Sequence, residues 1–290
     1  MTPIFMLLAT AFFWSLGGLL IKWVSWNPMA IAGTRSLIAA AFLLIVMGKP
    51  RFEWSLPLVL GALTYSATVI LFVFGNKLTA AANVILLQYT APVYIAVFSH
   101  FFLGEKITRR DWITIAVVLC GMVLFFLDEL TPGNLMGNLC GLLSGLTFST
   151  MILCMRKQKN AAPEASVILG NLLTGLIGIP FMFGPAPDAK GWTGLVILGI
   201  VQLGMSYWLY SRAIRHVTAL QGILIPVLEP ILNPVWVLLF FGEMPGKWAL
   251  VGGVTILMAV TSRYAGQVLR GKGGPALGEG QAVSIEYPPE

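Results

Sequence analysis

A helix needs about 20 mostly apolar residues to cross the hydrocarbon core of a membrane, and ten such runs follow one another along this chain. Only 10% of the residues are charged, whereas a soluble domain has roughly 25%. The sequence therefore predicts an all-α polytopic membrane protein with ten transmembrane helices. We number the predicted segments 1 to 10 in chain order, and they cover residues 4–24, 28–48, 56–76, 80–103, 110–127, 134–155, 164–183, 192–212, 217–241 and 247–264.

Segments 4 and 9 carry the same motif. Residues 79–105 and 218–243 both open with Thr-Ala, hold a proline in the middle and close with Phe-x-Gly-Glu. The central prolines, Pro92 and Pro230, and the terminal glutamates share one spacing of 138 residues. Two copies of a long apolar segment indicate a duplicated membrane protein, an arrangement typical of secondary transporters.

The loop charges predict that the second half enters the membrane in the opposite orientation. With a cytoplasmic N-terminus, thirteen Lys and Arg residues lie in cytoplasmic loops and four lie outside, as the positive-inside rule requires. Five segments per half is an odd number, so the second copy must be inverted, and corresponding loops carry opposite charge bias. We expect a first five-helix repeat at 1–130, a second, inverted repeat at 131–264, and a flexible cytoplasmic tail at 265–290.

Short motifs add a family resemblance to this architecture. Segment 1 contains Trp14 in a Trp-Ser-Leu-Gly turn, segment 2 contains Arg35, and segments 4 and 9 share their Gly-Glu ending. In this order, over residues 4–264, they resemble the EamA-type transporters of the drug/metabolite transporter superfamily. The resemblance implies metabolite transport through a central cavity, commonly export of amino acids or related compounds. The family also contains carriers of sugar phosphates, nucleotide sugars and vitamins, so the substrate stays open.

Other chemistry has little support in the sequence. The net charge of +6 comes from residues between the apolar runs, where membrane topology and not nucleic acid accounts for it. Cys120, Cys140 and Cys154 lie in apolar runs without a second thiol or His at ligand spacing, so we expect no metal site and no disulfide framework. No Gly-rich loop ending in Lys-Ser/Thr occurs, which excludes ATP-driven transport by this chain alone. We expect no cofactor, no nucleic-acid partner and no enzymatic activity.

Glu229 is the ionisable residue deepest in a predicted segment. A charge near the bilayer centre costs roughly 2.5–3.5 kcal/mol on insertion scales, and its counterpart in segment 4 is Ala91, so the duplicated scaffold does not require an acid. We expect Glu229 to line the substrate site, binding a substrate amine or exchanging a proton. A structural ion pair or a satisfied buried carboxyl is the alternative. Asn233 and Trp236 follow on the same helix face and are further candidates.

Arg35 lies about eight residues into segment 2, a depth of roughly 12 Å at 1.5 Å per residue. Its planar guanidinium matches a carboxylate in two parallel hydrogen bonds, so it is a candidate for binding a substrate carboxylate. It could equally pair with Glu229 or cap carbonyls at a helix end, and the structural role is the favoured one. A direct pair with Glu229 would weaken the proton-coupling hypothesis, because a partner cation keeps the acid ionised.

Four prolines predict bending in segments 4 and 9. A proline inside a helix removes one backbone hydrogen bond and pushes against the preceding turn. Within a membrane, the freed carbonyl must face protein or a water-lined cavity. We therefore expect hinges near a central cavity at Pro92, Pro226, Pro230 and Pro234.

Uncharged polar and aromatic residues complete the predicted site. Polar side chains in membrane helices face protein or water, although many only hold neighbouring helices together. The candidates are Trp14 in segment 1, Tyr65 in segment 3, Gln88 in segment 4, and Gln202, Ser206 and Tyr210 in segment 8. Tyr89, Tyr94 and Trp208 are as well explained by contact with lipid or the membrane interface.

Together these features predict an alternating-access secondary transporter, and by resemblance an exporter, of a small polar or amphipathic metabolite. Its expected partners are the small-molecule substrate, the lipid bilayer and, as a candidate coupling ion, protons; the oligomeric state is open. We place it in the inner (plasma) membrane with both termini in the cytoplasm. A membrane receptor or assembly subunit, or a membrane-embedded enzyme without transport activity, is the alternative.

Overall fold

The computed structural model describes residues 1–48, 52–127, 134–232, 236 and 246–269, which form helices, turns and no strand. The helices are α1 (Pro3–Trp14), α2 (Gly17–Trp23), α3 (Pro28–Met47), α4 (Leu56–Leu78), α5 (Ala81–Gln88), α6 (Ala91–Leu103), α7 (Arg109–Phe125), α8 (Leu135–Lys157), α9 (Pro163–Gly178), α10 (Ala189–Ile197), α11 (Ser206–Ala213), α12 (Ala219–Leu224) and α13 (Lys247–Leu269). A π-helical stretch at Leu198–Met205 and 3₁₀ turns at Ile179–Phe181 and Ile225–Val227 join them.

Seven stretches of the described residues are long and apolar enough to cross a membrane, and they correspond to segments 1–4 and 6–8. Helix α7 has 17 residues, and the helical stretch Ala219–Leu232 of segment 9 runs up to residues outside the described ranges. An all-helical, multi-pass membrane protein is confirmed. Ten spanning helices and the inverted 5+5 repeat stay predictions.

Segments 1, 4, 8 and 9 are interrupted, whereas segments 3 and 6 are continuous helices. In segment 1 the chain leaves α1 after Trp14 and resumes a helix at Gly17, and in segment 4 it leaves α5 after Gln88 and resumes at Ala91. Sequence explains two breaks directly. Pro92 stands in the first turn of α6, and Pro226 stands in the 3₁₀ turn of segment 9. An α-helix accommodates proline in its first turn but is disrupted by proline in its interior, so the regular helix is interrupted at both places.

The most extensive contacts between segments repeat between the two halves of the chain. Segments 3 and 6 pack together, as do 8 and 1; segments 4 and 6 pack, as do 9 and 1; segments 3 and 7 pack, as do 8 and 2. Segments 2 and 7, 4 and 9, and 5 and 10 also pack in pairs. Adding or subtracting five in every segment number maps this set of pairs onto itself.

The glycines of segment 6 face segment 4 inside the bundle. A Cβ at Gly137 would lie 2.8 Å from Thr79 Cβ, and one at Gly145 would lie 2.7 Å from the carbonyl oxygen of Gln88. Small residues at four-residue spacing let two helix backbones approach closely. This stripe therefore serves packing within one chain, against the very place where segment 4 is broken.

Some predictions fall on residues that the structure does not describe. Asn233, Pro234 and the Gly-Glu ending of segment 9 lie outside the described residues, as does the predicted tail from residue 270 onward. Helix α13 continues to Leu269, five residues past the predicted end of segment 10, so the first part of the predicted tail is helical.

Candidate functional site

A small cavity of about 40 Å³ lies between the interrupted segments. Its lining comes from segments 1, 2, 3, 4, 6, 8 and 9. The residues that line it are Trp14, Arg35, Thr68, Val69, Phe72, Gln88, Phe148, Gln202, Leu203, Tyr207 and Glu229. Five of the ten predicted substrate-binding residues are among them: Trp14, Arg35, Gln88, Gln202 and Glu229.

The four helix interruptions converge on this cavity. Trp14 is the last residue of α1 and Gln88 the last of α5. Gln202 lies in the π-helical stretch, and Glu229 follows the 3₁₀ turn of segment 9 by two residues. Irregular backbone at membrane depth is tolerated where it is buried in protein or lines a cavity, and transporters bind substrate at such places.

Arg35 is a buried cation with spare hydrogen-bonding capacity. Its side chain is 1% exposed, its Nη1 donates to Gln202 Oε1 at 3.2 Å, and its Nε has no partner among the described residues. A guanidinium has five N–H donors, and a buried charge is costly unless it is well hydrogen-bonded. The arrangement is suited to an anionic group that enters the cavity.

The Glu229 carboxylate accepts a hydrogen bond from a tyrosine in the other half of the chain. Tyr89, at the break of segment 4, donates from its hydroxyl to Glu229 Oε2 at 2.9 Å and approaches the carbonyl oxygen of Pro226 at 3.1 Å. A hydrogen bond to a carboxylate orients it while leaving its other oxygen available. Glu229 is only partly buried, which fits a side chain that borders a cavity.

Arg35 and Glu229 do not form an ion pair, although both line the cavity. The ion pairs among the described residues, taken at a nitrogen-to-oxygen distance of 4.0 Å or less, involve other residues. One of the three roles considered for Arg35, pairing with Glu229, is therefore not the arrangement seen here. The cavity presents one cationic and one anionic group to the same small volume.

Aromatic rings form the wall around these charges. Trp14 contacts Phe148 at a centroid distance of 5.6 Å and Tyr207 and Tyr210 at 5.3 Å each. Tyr65 packs edge-on against Tyr207 at 4.9 Å. Such edge-to-face and tilted arrangements are the favourable ones for aromatic pairs, and they give the cavity a rigid wall.

The other predicted site residues that the structure describes lie near the cavity but are not among its lining residues. Tyr65, Tyr210 and Ser206 are fully buried, and the Ser206 hydroxyl bonds back to the carbonyls of Gln202 and Leu203 in its own helix. Trp236 donates from its indole to the Ser15 hydroxyl at 2.8 Å, at the break of segment 1. Whether any of these side chains binds substrate stays a prediction.

Three of the four predicted hinge prolines fall on described residues, and these three lie near the cavity. Pro92 and Pro226 stand at the interruptions of segments 4 and 9, and Pro230 is buried next to Glu229. Their role as hinges stays a prediction.

Tyr207 and Phe148 line the cavity, and Tyr89 hydrogen-bonds the lining residue Glu229, but none of the three was among the predicted site residues. Tyr89 was as well explained by lipid contact, yet it is 3% exposed and bonds Glu229. The repeat could have indicated it, because its counterpart 138 residues on, Val227, lies in the proline-containing 3₁₀ turn. No sequence signal marks Phe148, which reaches the cavity only through the packing of α8.

Within the described residues, no group of three or more His, Cys, Asp or Glu side chains could hold a metal ion. The polar residues that line the cavity are Arg35, Glu229, Gln88, Gln202, Thr68 and Tyr207. These groups can bind and orient a small charged molecule.

Curated relatives of this chain are transporters. An uncharacterized transporter of Archaeoglobus fulgidus is 25% identical over 198 residues, covering 67% of this chain and 70% of the relative. A pseudopaline exporter of Pseudomonas aeruginosa is 26% identical over 61% of this chain, and the match spans 64% of that exporter, a little under two thirds. A threonine/homoserine exporter of Salmonella typhimurium is 28% identical over 71% of this chain and 72% of its own length.

A structural match and a family match are consistent with these transporter relatives. A solved crystal structure aligns with a TM-score of 0.76 over 92% of this chain and 98% of the other, at 18% identity, a level that speaks for the fold alone. The sequence model of the EamA-like transporter family matches residues 1–127 and 135–262. These two stretches leave out only the loop between the halves and the C-terminal residues, and the chain therefore belongs to the EamA-like transporter family.

Proposed function

We propose that this protein is an alternating-access secondary transporter for a small metabolite that carries both an acidic and a basic group, an amino acid or a related compound. The observation that carries the proposal is the pair Arg35 and Glu229. Both charges line one cavity, neither neutralises the other, and an apolar aromatic wall surrounds them. A zwitterion would satisfy both charges at once, which is the usual way to keep buried charges stable.

In this binding mode, Arg35 receives the substrate carboxylate and Glu229 receives the substrate amine. Gln202 and Tyr89 hold the two charged side chains in position through hydrogen bonds of 3.2 Å and 2.9 Å. Glu229 is also the candidate site for proton exchange, since a carboxylate without a cationic partner is free to take up a proton when the substrate leaves.

The size of the cavity supports a mechanism with conformational change. A buried water needs roughly 10–15 Å³ of such volume, so about 40 Å³ corresponds to a few waters and not to an amino acid. Substrate entry must separate the half-helices around the breaks. The symmetric packing of the two halves supports two alternative arrangements of this kind, as an inverted 5+5 repeat predicts.

The orientation and direction of transport are part of the same proposal. The excess of Lys and Arg in alternate loops supports a cytoplasmic position for both termini, in the inner membrane of the cell. The names of two relatives, exporters of pseudopaline and of threonine and homoserine, support export and an amino-acid-like substrate.

Flux in proteoliposomes tests this proposal. We expect the purified protein to exchange at least one of the amino acids in a labelled panel across a sealed bilayer. Arg35→Gln should weaken binding of that substrate by roughly 10- to 150-fold, the value of a charge-assisted hydrogen bond. Glu229→Gln should have a similar effect and remove any dependence of the exchange rate on pH.

Arg110→Gln is the matched control, because Arg110 is an exposed arginine on α7 and its replacement should leave flux unchanged. An absence of flux for every compound tested, with folded protein, would support the receptor or enzyme alternative. Flux that is indifferent to both Arg35→Gln and Glu229→Gln would show that the binding site lies elsewhere.

A further inference from the structure

All three ion pairs among the described residues lie at one end of the bundle, which we call the basic end. The pairs are Arg156 with Glu105, Arg215 with Glu164, and Arg263 with Asp111. By the orientation proposed above, the basic end faces the cytoplasm.

Arg156 is the most deeply buried cation of the three. Its side chain is 4% exposed, and its Nε donates to Glu105 Oε1 at 2.8 Å. Its Nη1 donates to the carbonyl oxygens of Ile214 at 3.0 Å and Arg215 at 2.8 Å. The second carboxylate oxygen of Glu105 accepts from the backbone N–H of Ala219 at 2.9 Å. The two side chains thus make one hydrogen bond to each other and three to backbone groups.

Local structure aims Glu105 at this network. Gly104 ends α6 with a left-handed φ of 71°, a conformation that favours glycine at a helix C-terminus, and its N–H bonds to the carbonyl of His100 at 3.0 Å. The chain turns sharply there and presents the next residue, Glu105, across the end of the bundle. The Gly-Glu ending of segment 4 thus has a structural reason.

The network joins three of the segments that line the cavity. Glu105 follows segment 4, Arg156 ends segment 6, and Ala219 begins segment 9. The same segments contribute Gln88, Phe148 and Glu229 to the cavity. A motion that separates segments 4, 6 and 9 at the basic end would break this network.

The opposite end of the bundle is joined by weaker contacts. There the Lys77 ammonium donates to the carbonyl oxygen of Val24 at 2.7 Å, and Thr79 bonds Asn138 at 3.3 Å. No ion pair among the described residues lies at that end. Buried charge pairs lose several kcal/mol when one partner is removed, so the two ends differ in what must be broken to open them.

We propose that the Arg156–Glu105 pair is the latch that keeps the cavity closed toward the cytoplasm, and that its opening admits substrate from that side. This inference rests on the proposed transport function and identifies two residues, remote from the cavity, that control access to it. A latch of this kind makes the closed and open arrangements discrete states, because packed interfaces switch between arrangements and do not deform continuously.

Cysteine labelling in the cavity tests the latch without any substrate. The parent protein carries Phe72→Cys as reporter, with Cys120, Cys140 and Cys154 replaced by serine. A membrane-impermeant maleimide is applied to inside-out vesicles, in which the cytoplasmic face is accessible. We expect Glu105→Gln to raise the labelling rate of residue 72 roughly tenfold, the difference between a charged and a neutral hydrogen-bonded pair.

Two further variants make the result specific. Arg263→Gln is the matched control, since its pair with Asp111 has the same length of 2.8 Å but joins segments 5 and 10, from which no described residue lines the cavity. It should label at the parent rate. Glu105→Asp keeps the charge on a shorter side chain and should label at an intermediate rate; it also serves if Glu105→Gln does not fold.

Labelling of both Glu105 variants at the parent rate, or equal acceleration by Arg263→Gln, would overturn the latch. Because labelling needs no transport, the outcomes separate the two proposals. A protein that labels as expected but moves no tested compound retains the latch and loses the proposed substrate class. A protein that transports amino acids with unchanged labelling loses the latch alone.

Discussion

Two buried arginines, Arg35 in the cavity and Arg156 at the basic end, have opposite surroundings. Arg156 donates to a carboxylate and to two backbone carbonyls. Arg35 donates to one side-chain amide, and its Nε has no partner among the described residues. Both are almost fully buried, so burial does not distinguish them.

The difference lies in how completely the protein satisfies each cation. A buried charge with a full set of partners is part of the structure, because removing one member leaves the others uncompensated. A buried charge with spare donors has unused capacity that a ligand can fill. On this reasoning we expect Arg156 to stabilise one arrangement of the helices and Arg35 to bind the substrate.

The largest effect we expect is on stability, and it separates the two arginines. Arg156→Met should destabilise the protein by about 3–5 kcal/mol, because it leaves the Glu105 carboxylate buried without its cation. Arg35→Met should leave stability unchanged or raise it, since an apolar side chain replaces an incompletely bonded charge. Thermal unfolding of both variants in detergent measures this, and equal losses of stability would contradict the distinction.

A smaller effect on stability should come from the helix contact beside the cavity. Gly145→Ala should destabilise by about 1–3 kcal/mol, the usual cost of overpacking, because its Cβ would lie 2.7 Å from the Gln88 carbonyl oxygen. Gly184→Ala is the matched control, since a Cβ there meets nothing within 4 Å. Unfolding midpoints that fall equally for both would contradict the packing argument.

The smallest effect concerns the partner of Glu229. Tyr89→Phe removes one hydrogen bond to the carboxylate and should weaken substrate binding by roughly two- to tenfold, the value of a single neutral donor. Tyr94→Phe, at a tyrosine of the same segment that does not hydrogen-bond Glu229, should leave binding unchanged. Titration of a transported amino acid by thermal shift compares the two, and identical affinities would remove Tyr89 from the site.

The two halves of the chain also differ in the charged residues that they contribute to the cavity. Glu229 corresponds to Ala91 at the spacing of 138 residues, and Arg35 corresponds to Gly170 when the first-turn prolines of α3 and α9 are aligned. A Cβ at Gly170 would lie 2.7 Å from the Tyr65 ring, so that position is used for packing. Each half supplies one charge that the other lacks, and both charges line the cavity.

Much of the architecture could be predicted because hydrophobic length and loop charge are local properties. The outer limits of segments 1–8 lie within a few residues of the predicted runs, whereas the breaks inside segments 1 and 8 were not predicted. The acid at 229 and the arginine at 35 stood out because a charge is costly in a membrane segment. Whether the two side chains form a salt bridge could not be predicted, since the same sequence is compatible with a salt bridge and with two separate charges.

The contacts of Tyr89 and Arg156 depend on tertiary packing and could not be predicted from local sequence. Tyr89 is one of several tyrosines in apolar segments, and only the break at the end of α5 turns it toward Glu229. Arg156 was counted among the loop charges that orient the chain, yet it is buried and joins three segments. A positive charge at a helix end follows the same pattern in sequence whether it faces water or a buried carboxylate.

The sequence by itself determined that this chain is a helical membrane protein, that parts of it are duplicated, and which charges are anomalous. The cost of placing polar groups in hydrocarbon acts on each residue separately, so it can be evaluated along the chain. Only the tertiary structure decided that Arg35 and Glu229 share a cavity unpaired and that Arg156 is satisfied elsewhere. Hydrogen-bond partners come from distant segments, and their choice depends on how the helices pack.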